Sequence, residues 1–218
     1  MRILLKLPAR NTHSIESSIM MTIQNQNEYF SRTFTHYEAI HDSLMEVIFE
    51  NCIFDHCNFS DTKFYKCKFV DCVFTSSNLS NINIDYSKFF DVSFNDSKMV
   101  GIDWTKADWP RFAFTSPLKF NNCIINDSSF FGLNLSELEL KHCKAQDVDF
   151  RNGNFSKANF NFTDFTNSLF MKTNLRETNL CEAESYTIDI FNNDIKGAIF
   201  SRLEALRLLD CLDIELVD

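Results

Sequence analysis

Residues 52–74 read CIFDHCNFSDTKFYKCKFVDCVF, which places Phe54, Phe59, Phe64, Phe69 and Phe74 at intervals of five. A helix repeats its faces about every 3.6 residues and a strand every 2, so neither element accounts for a period of five. Stepping by five before this stretch gives Phe34, Ala39, Leu44 and Phe49; stepping beyond it gives Leu79, Ile84, Phe89, Phe94, Met99, Trp104, Trp109 and Phe114. One extra residue then intrudes near Ser116-Pro117, and the ladder resumes from Phe120 to Leu180. Of these 30 centres, 28 are Phe, Leu, Ile, Met or Trp, which marks the ladder as the interior of a repeat architecture.

A second ladder lies two residues before each centre and holds small side chains, among them Cys52, Cys57, Thr62, Cys67, Cys72, Ser77, Ser87, Ala158, Thr163 and Ser168. The residue just before the centre is often Asn or Asp, as at Asn58, Asn78, Asn154 and Asp164. Residues two apart on an extended backbone point to the same side. A period of five therefore means that the chain turns a corner within each quintet, and four corners close a square coil of about 20 residues. About seven and a half such coils, stacked at the usual strand spacing, predict a rod roughly 36 Å long.

The composition sharpens this reading. There are 24 Phe but only 4 Gly and 3 Pro, fewer turn formers than a sandwich or barrel with tight hairpins would use. The formal net charge of -9 argues against binding DNA or anionic membrane through general electrostatics. The short apolar run Ile3–Leu7 is shorter than a secretory core and no small-residue cleavage site follows it, so the expected location is cytoplasmic. Residues 1–19 read either as a flexible arm or as an upstream extension ahead of Met20 or Met21.

The runs CIFDHCNFSDTKFYKCKF (52–69) and NFSKANFNFTDFTNSLFMKTNLRETNL (154–180) closely resemble the pentapeptide-repeat family. The resemblance spans residues 34–200 and implies an all-β fold, a right-handed quadrilateral β-helix. We expect an N-terminal arm over 1–28, the β-helix over 29–200, and a C-terminal helix and strand over 201–218.

Six of the eight Cys fall on the inward small ladder (Cys52, Cys57, Cys67, Cys72, Cys123 and Cys143), and no C-x-x-C pair occurs. They read as small apolar core residues rather than metal ligands. His36 and His56, 20 apart, read as exposed neighbours on one face. No phosphate loop, zinc-protease motif or nucleophile elbow is present. The expectation is a protein without catalytic residues, metal or cofactor.

Departures from the repeat single out four features. Trp104 to Leu118 combines two Trp centres, Pro110, Phe112 at a small-residue position and the extra residue; it reads as a repacked coil or as a bulge offered to a partner. Val70, Phe90, Pro110, Phe131, Arg151, Met171 and Phe191 follow every fourth centre and form a candidate apolar track, either an interface or a surface covered by residues 1–30. Ser201-Arg202-Leu203-Glu204 has the form of a capping box, which predicts a helix carrying Leu203, Leu206 and Leu209. Ile214 and Leu216 alternate as a short strand beyond it.

That tail resembles the end module through which Qnr-type proteins form homodimers, with a plain cap as the other reading. The Qnr, MfpA and McbG groups bind DNA gyrase, and some are described as mimics of duplex DNA. The resemblance therefore implies a non-enzymatic protein whose partner is DNA gyrase or topoisomerase IV and which protects against quinolones or gyrase-targeting toxins. The acidic net charge and the lack of any run of about 18 apolar residues lead us to expect no direct nucleic-acid contact and no membrane. Asp85, Asp103, Asp127, Asp147, Asp164 and Glu184, read as one outward track over successive coils, are the carboxylates such a mimic would present; Lys63, Lys66, Lys106 and Lys144 interrupt them. Qnr-type proteins also carry long loops that this chain, with one inserted residue, is expected to lack. An interaction scaffold for a different protein partner is the competing reading.

Overall fold

The computed structural model describes residues 22–110, 118–212, 214, 215 and 217. The chain winds into a β-helix of about eight coils. All its strand pairs are parallel, and Phe34, Phe54, Phe74 and Phe94 stand in register at 20-residue steps. Face one contains Glu28–Phe30, Ile48–Glu50, Lys68–Val70 and Lys88–Phe90. Face two contains six strands from Thr33–Thr35 to Glu139–Lys141. Face three is held by single bridges such as Asn58 to Asn78 and Lys144 to Asp164. Face four begins with Ser43–Met45 and Lys63–Tyr65 and continues as bridges.

The inward ladder fills the tube. Phe59, Phe64, Phe69 and Phe74 come from the four faces and close a ring, with centroids 5.5, 5.4, 5.9 and 6.3 Å apart around the square. Rings on one face stack along the axis, as in Phe34–Phe54 (5.1 Å) and Phe54–Phe74 (4.4 Å), with planes within 10°. Aromatic pairs in these geometries add about 0.5–1.5 kcal/mol beyond the area they bury, so each Phe is held by neighbours within and between coils.

The corners explain how a chain with four Gly turns so often. Among the described residues, 28 non-glycine residues have positive φ, between 49° and 64°. They recur two places after each centre, as at Asn51, His56, Asp61, Lys66 and Asp71. Each left-handed residue costs on the order of 1–2 kcal/mol, and hydrogen bonds to the neighbouring coil offset that cost. The corner N–H donates to the next coil (Asp61 to Ser80 O, 2.9 Å) and the centre N–H does likewise (Phe59 to Asn78 O, 2.8 Å). The residue before the centre donates to the previous coil (Asn58 to Tyr37 O, 2.8 Å).

Two donors remain in such a quintet, and a side chain or a nearby carbonyl meets each of them. The Asn or Asp before the centre accepts the N–H of the residue after it, as Asn58 does from Ser60 at 3.1 Å and Asp164 from Thr166 at 2.9 Å. The N–H of the small residue closes a turn on the preceding centre, as Thr62 does on Phe59 at 3.0 Å, or meets a hydroxyl of the next coil, as Cys57 meets Ser77 Oγ at 3.0 Å. The single Ser77 hydroxyl proton is shared between the acceptors Phe54 O and Thr75 O. The small ladder is thus polar for a reason: buried backbone groups need partners.

Three sequence expectations change. The register steps from Val92 to Leu118 and from Phe94 to Phe120, a spacing of 26. Trp109 still lies over Phe89, with Asp108 N–H on Ser87 O, so six residues, not one, are inserted after Trp109. An insertion of six looks like one when counted by fives. Trp104 is buried and stacks on Phe130 at 5.8 Å, while the Trp109 indole N–H donates to Trp104 O at 2.8 Å. The coil is repacked as far as Trp109, and the bulge reading falls on residues 111–117, outside the described residues. Phe112, Phe114, Ser116 and Pro117 lie outside the described residues.

At the N-terminal end the coil pattern starts at Gln26, whose positive φ and N–H bond to Met45 O match later corners. Ile23 is buried beneath the first coil, and its N–H donates to Tyr37 Oη. At the other end, Glu204–Leu212 forms a 3-10 helix, but the expected capping box does not form. Ser201 Oγ bonds Glu182, and Glu204 pairs with Arg207 at 2.7 Å. Ile214 belongs to no strand, and Leu216 lies outside the described residues.

Phe64→Ala should cost about 3–5 kcal/mol, as truncations of buried Phe do, read as a lowered denaturation midpoint. Gly132 has φ +69° and open space where a Cβ would stand. Gly132→Val should therefore cost about 1–2 kcal/mol through backbone conformation alone.

Candidate interaction surfaces

The tube is filled by side chains, so ligand chemistry falls to the outward positions. Burial pushes the thiols of Cys52 and Cys57 up, Cys67 to about 11 and Cys72 to about 12, which makes these four poor nucleophiles. A hydrogen bond with Cys123, together with burial, also pushes Cys143 up. No disulfide forms among the eight Cys. His36 and His56 stack at 5.3 Å, but no group of three or more metal-ligating side chains exists among the described residues. All four described histidines, at 36, 41, 56 and 142, occupy positive-φ corners. Histidine tolerates that conformation better than most residues, which accounts for the 20-residue spacing without a ligand.

The expected acidic track does not run along one line. Asp85 and Asp103 belong to face four, on opposite sides of their centres Ile84 and Trp104. Asp127 and Asp147 are corner residues at the end of face three, with φ near 58°. Asp164 and Glu184 bridge each other on face three itself. Asp103 lies 3.8 Å from Lys106. Burial opposes ionisation of Asp164, but hydrogen bonds from Thr166 and Gln146 and the charge of Lys144 hold its carboxyl below the usual range. The six-residue insertion shifts every later residue round the square, which is why a count by twenties misplaced them.

The same shift divides the apolar track. Val70 and Phe90 pair on face one, with Pro110 following Trp109. Phe131, Arg151 and Met171 follow the face-four centres Phe130, Phe150 and Phe170, and Phe191 lies one coil further. Phe131, Met171 and Phe191 are exposed, as is Leu169 beside Phe170; Leu169 was missed because it precedes its centre. The Arg151 guanidinium lies 5.8 Å from the Phe131 ring centre and bonds Asp149 through two nitrogens. That hydrogen-bonded pair holds the Asp149 carboxyl below its ordinary range.

The C-terminal end forms a third surface. Leu208 and Phe200 pack on the core, while Leu203 is 79% exposed, with Ile199, Leu206 and Ile214 also exposed. Leu209 is half-buried. Tyr186 is buried below this end, and burial pushes its hydroxyl up to about 12. No helix among the described residues is long and apolar enough to cross a membrane.

A family model described as pentapeptide repeat region matches residues 47–117 and 113–180. The chain belongs to the pentapeptide-repeat family. Among solved structures, a trypsin-treated variant of QnrB1, described as a plasmid-mediated fluoroquinolone resistance protein, superposes with a TM-score of 0.66 at 16% identity. That match covers 89% of this chain and 99% of the trypsin-treated chain. Full-length QnrB1 gives 0.56 at 18% identity, covering 86% and 100%. HetL from the cyanobacterium Nostoc sp. strain PCC 7120, described as involved in regulating heterocyst differentiation, gives 0.52 at 14%, covering 80% and 84%. These matches show a shared fold. No curated protein matches the sequence.

Cys181 and Cys211 are the two cysteines of intermediate exposure. A thiol reagent should modify these two in the native protein and the other six only after denaturation, counted by mass spectrometry. Rapid native labelling of Cys67 or Cys72 would contradict the tube packing.

Proposed function

We propose that this chain is a non-enzymatic binding protein for a type II topoisomerase, DNA gyrase or topoisomerase IV, and protects it from quinolones or gyrase-targeting toxins. One observation carries the reading: the coil superposes on essentially the whole of QnrB1, a fluoroquinolone resistance protein. The fold offers a partner a rigid rod with side chains repeated at about 4.8 Å along its axis. Duplex DNA carries one charge per about 1.7 Å, so a single carboxylate column is too sparse to imitate it. The corner between faces three and four, with Asp103, Asp127 and Asp147 close in sequence register, is the best place for such mimicry.

The C-terminal end joins two copies in this reading, because Ile199, Leu203 and Leu206 would otherwise leave an apolar end in water. The second reading, a scaffold for a different protein, is favoured by the exposed stripe of Phe131, Leu169, Met171 and Phe191.

In a purified gyrase supercoiling assay with a quinolone, the protein should restore supercoiling in a dose-dependent way. Asp127→Lys combined with Asp147→Lys should weaken that protection at least tenfold. Complete inertness toward gyrase and topoisomerase IV over a wide concentration range would remove the topoisomerase reading. By sedimentation, the wild type should be a dimer and Leu203→Glu with Leu206→Glu a monomer.

A further inference from the structure

One part of the surface runs against the acidity of the chain. Lys66, Tyr86 and Lys106 stand at the corner between faces four and one in three successive coils: the Lys66 N–H meets Asp85 O, and the Tyr86 N–H meets Lys106 O. Directly beside that column, Lys68 and Lys88 pair in register on face one. Lys63 and Tyr65 flank it on face four. Five lysines and two tyrosines thus share one corner of a chain whose formal net charge is -9. Lys66, Lys68, Lys88 and Tyr86 line a cleft of about 510 Å³, together with Glu46 and Asp108.

The rings have no part in the core. Tyr86 is 61% exposed although its backbone has φ 59°, a conformation disfavoured for a bulky side chain. Its ring meets Tyr65 edge-on at 5.7 Å, and Lys63 and Lys66 lie 5.1 and 5.2 Å from the Tyr65 ring centre. Three lysines have carboxylate neighbours: Lys66 with Glu46 at 4.0 Å, Lys88 with Asp108 at 3.3 Å and Lys106 with Asp103 at 3.8 Å. All three pairs are about half exposed. Exposed pairs of this kind hold their partners weakly, so the amines are free to turn toward another anion. Among the described residues, Lys63 and Lys68 have no carboxylate within 4.0 Å.

We propose that this corner binds single-stranded nucleic acid, with a base on the exposed ring of Tyr86 and phosphates on the surrounding lysines. Lysines around an exposed ring are the chemistry that single strands use, because their unpaired bases have free faces to stack. An acidic peptide matches the charge but leaves the rings unused, and a duplex keeps its base faces covered. Glu46, Asp103 and Asp108 oppose an anion at this corner itself, as does Asp85 beside Tyr86. The five lysines therefore leave a small local excess of positive charge. Acidic groups beyond about 8 Å are largely screened at physiological salt. The proposal does not rest on the topoisomerase reading, although Asp103 borders both corners, and it departs from the expectation, drawn from net charge, that no nucleic acid is contacted.

The test is fluorescence anisotropy of a labelled 20-nucleotide oligothymidylate with the full chain at 50 and 150 mM salt. Saturable binding that weakens at the higher salt is expected. Tyr86→Asn, which keeps a residue suited to the corner, should weaken it at least about fivefold. Lys68→Glu with Lys88→Glu should abolish it, with unchanged circular dichroism in both variants. No saturable binding at 50 mM salt overturns the proposal. So does binding that both variants retain, or displacement by polyglutamate as readily as by unlabelled oligothymidylate.

Discussion

Everything in this molecule depends on a left-handed corner repeated every fifth residue and held by hydrogen bonds to the coils on either side. No isolated quintet would adopt it, because the corner conformation is unfavourable for nearly every residue that occupies it. Stacking supplies the compensation: three backbone N–H groups per quintet pair with neighbouring coils, and Asn, Asp, Ser and Thr side chains or a nearby carbonyl meet the rest. A coil is therefore stable only between coils, which is the general condition of repeat proteins. Ile23 is buried at the N-terminal end, and Leu208 of the Glu204–Leu212 helix packs against the core at the other.

The same constraint decides what kind of function the chain can have. Two of every five side chains are spent on the interior, and burial raises the thiols of Cys52, Cys57, Cys67 and Cys72. What remains is a set of outward columns whose side chains recur at strand spacing. Recognition by a rod of this kind depends on which residues the winding brings into one column. The basic corner around Tyr86, the acidic corner around Asp127 and the apolar stripe around Met171 each exist only because residues about 20 apart become neighbours.

Much of this was legible in the residues. The period of five, the inward Phe ladder and the small ladder at two residues before it describe the core correctly from Phe34 to Leu180, apart from the interval around Trp109. Tyr29, one further step back, was equally legible and was overlooked. The cysteines at 52, 57, 67 and 72 declared themselves core by their place in the repeat. The reason for Asn or Asp before each centre was not legible, because it lies in a bond to a backbone group two residues on.

The amino-acid order by itself determined the corner, the interior and the family, since those follow from local spacing that every quintet repeats. It did not determine which outward residues share a face. That depends on the length of each coil, and a six-residue insertion after Trp109 differs from a one-residue insertion by a whole quintet, which leaves the inward pattern unchanged. Only the three-dimensional winding, through the pairing of Phe94 with Phe120, decided that Phe90 and Phe131 lie on different faces. The physical reason is that apolar burial reports whether a side chain points in or out, while face membership is set by the hydrogen-bond register between coils.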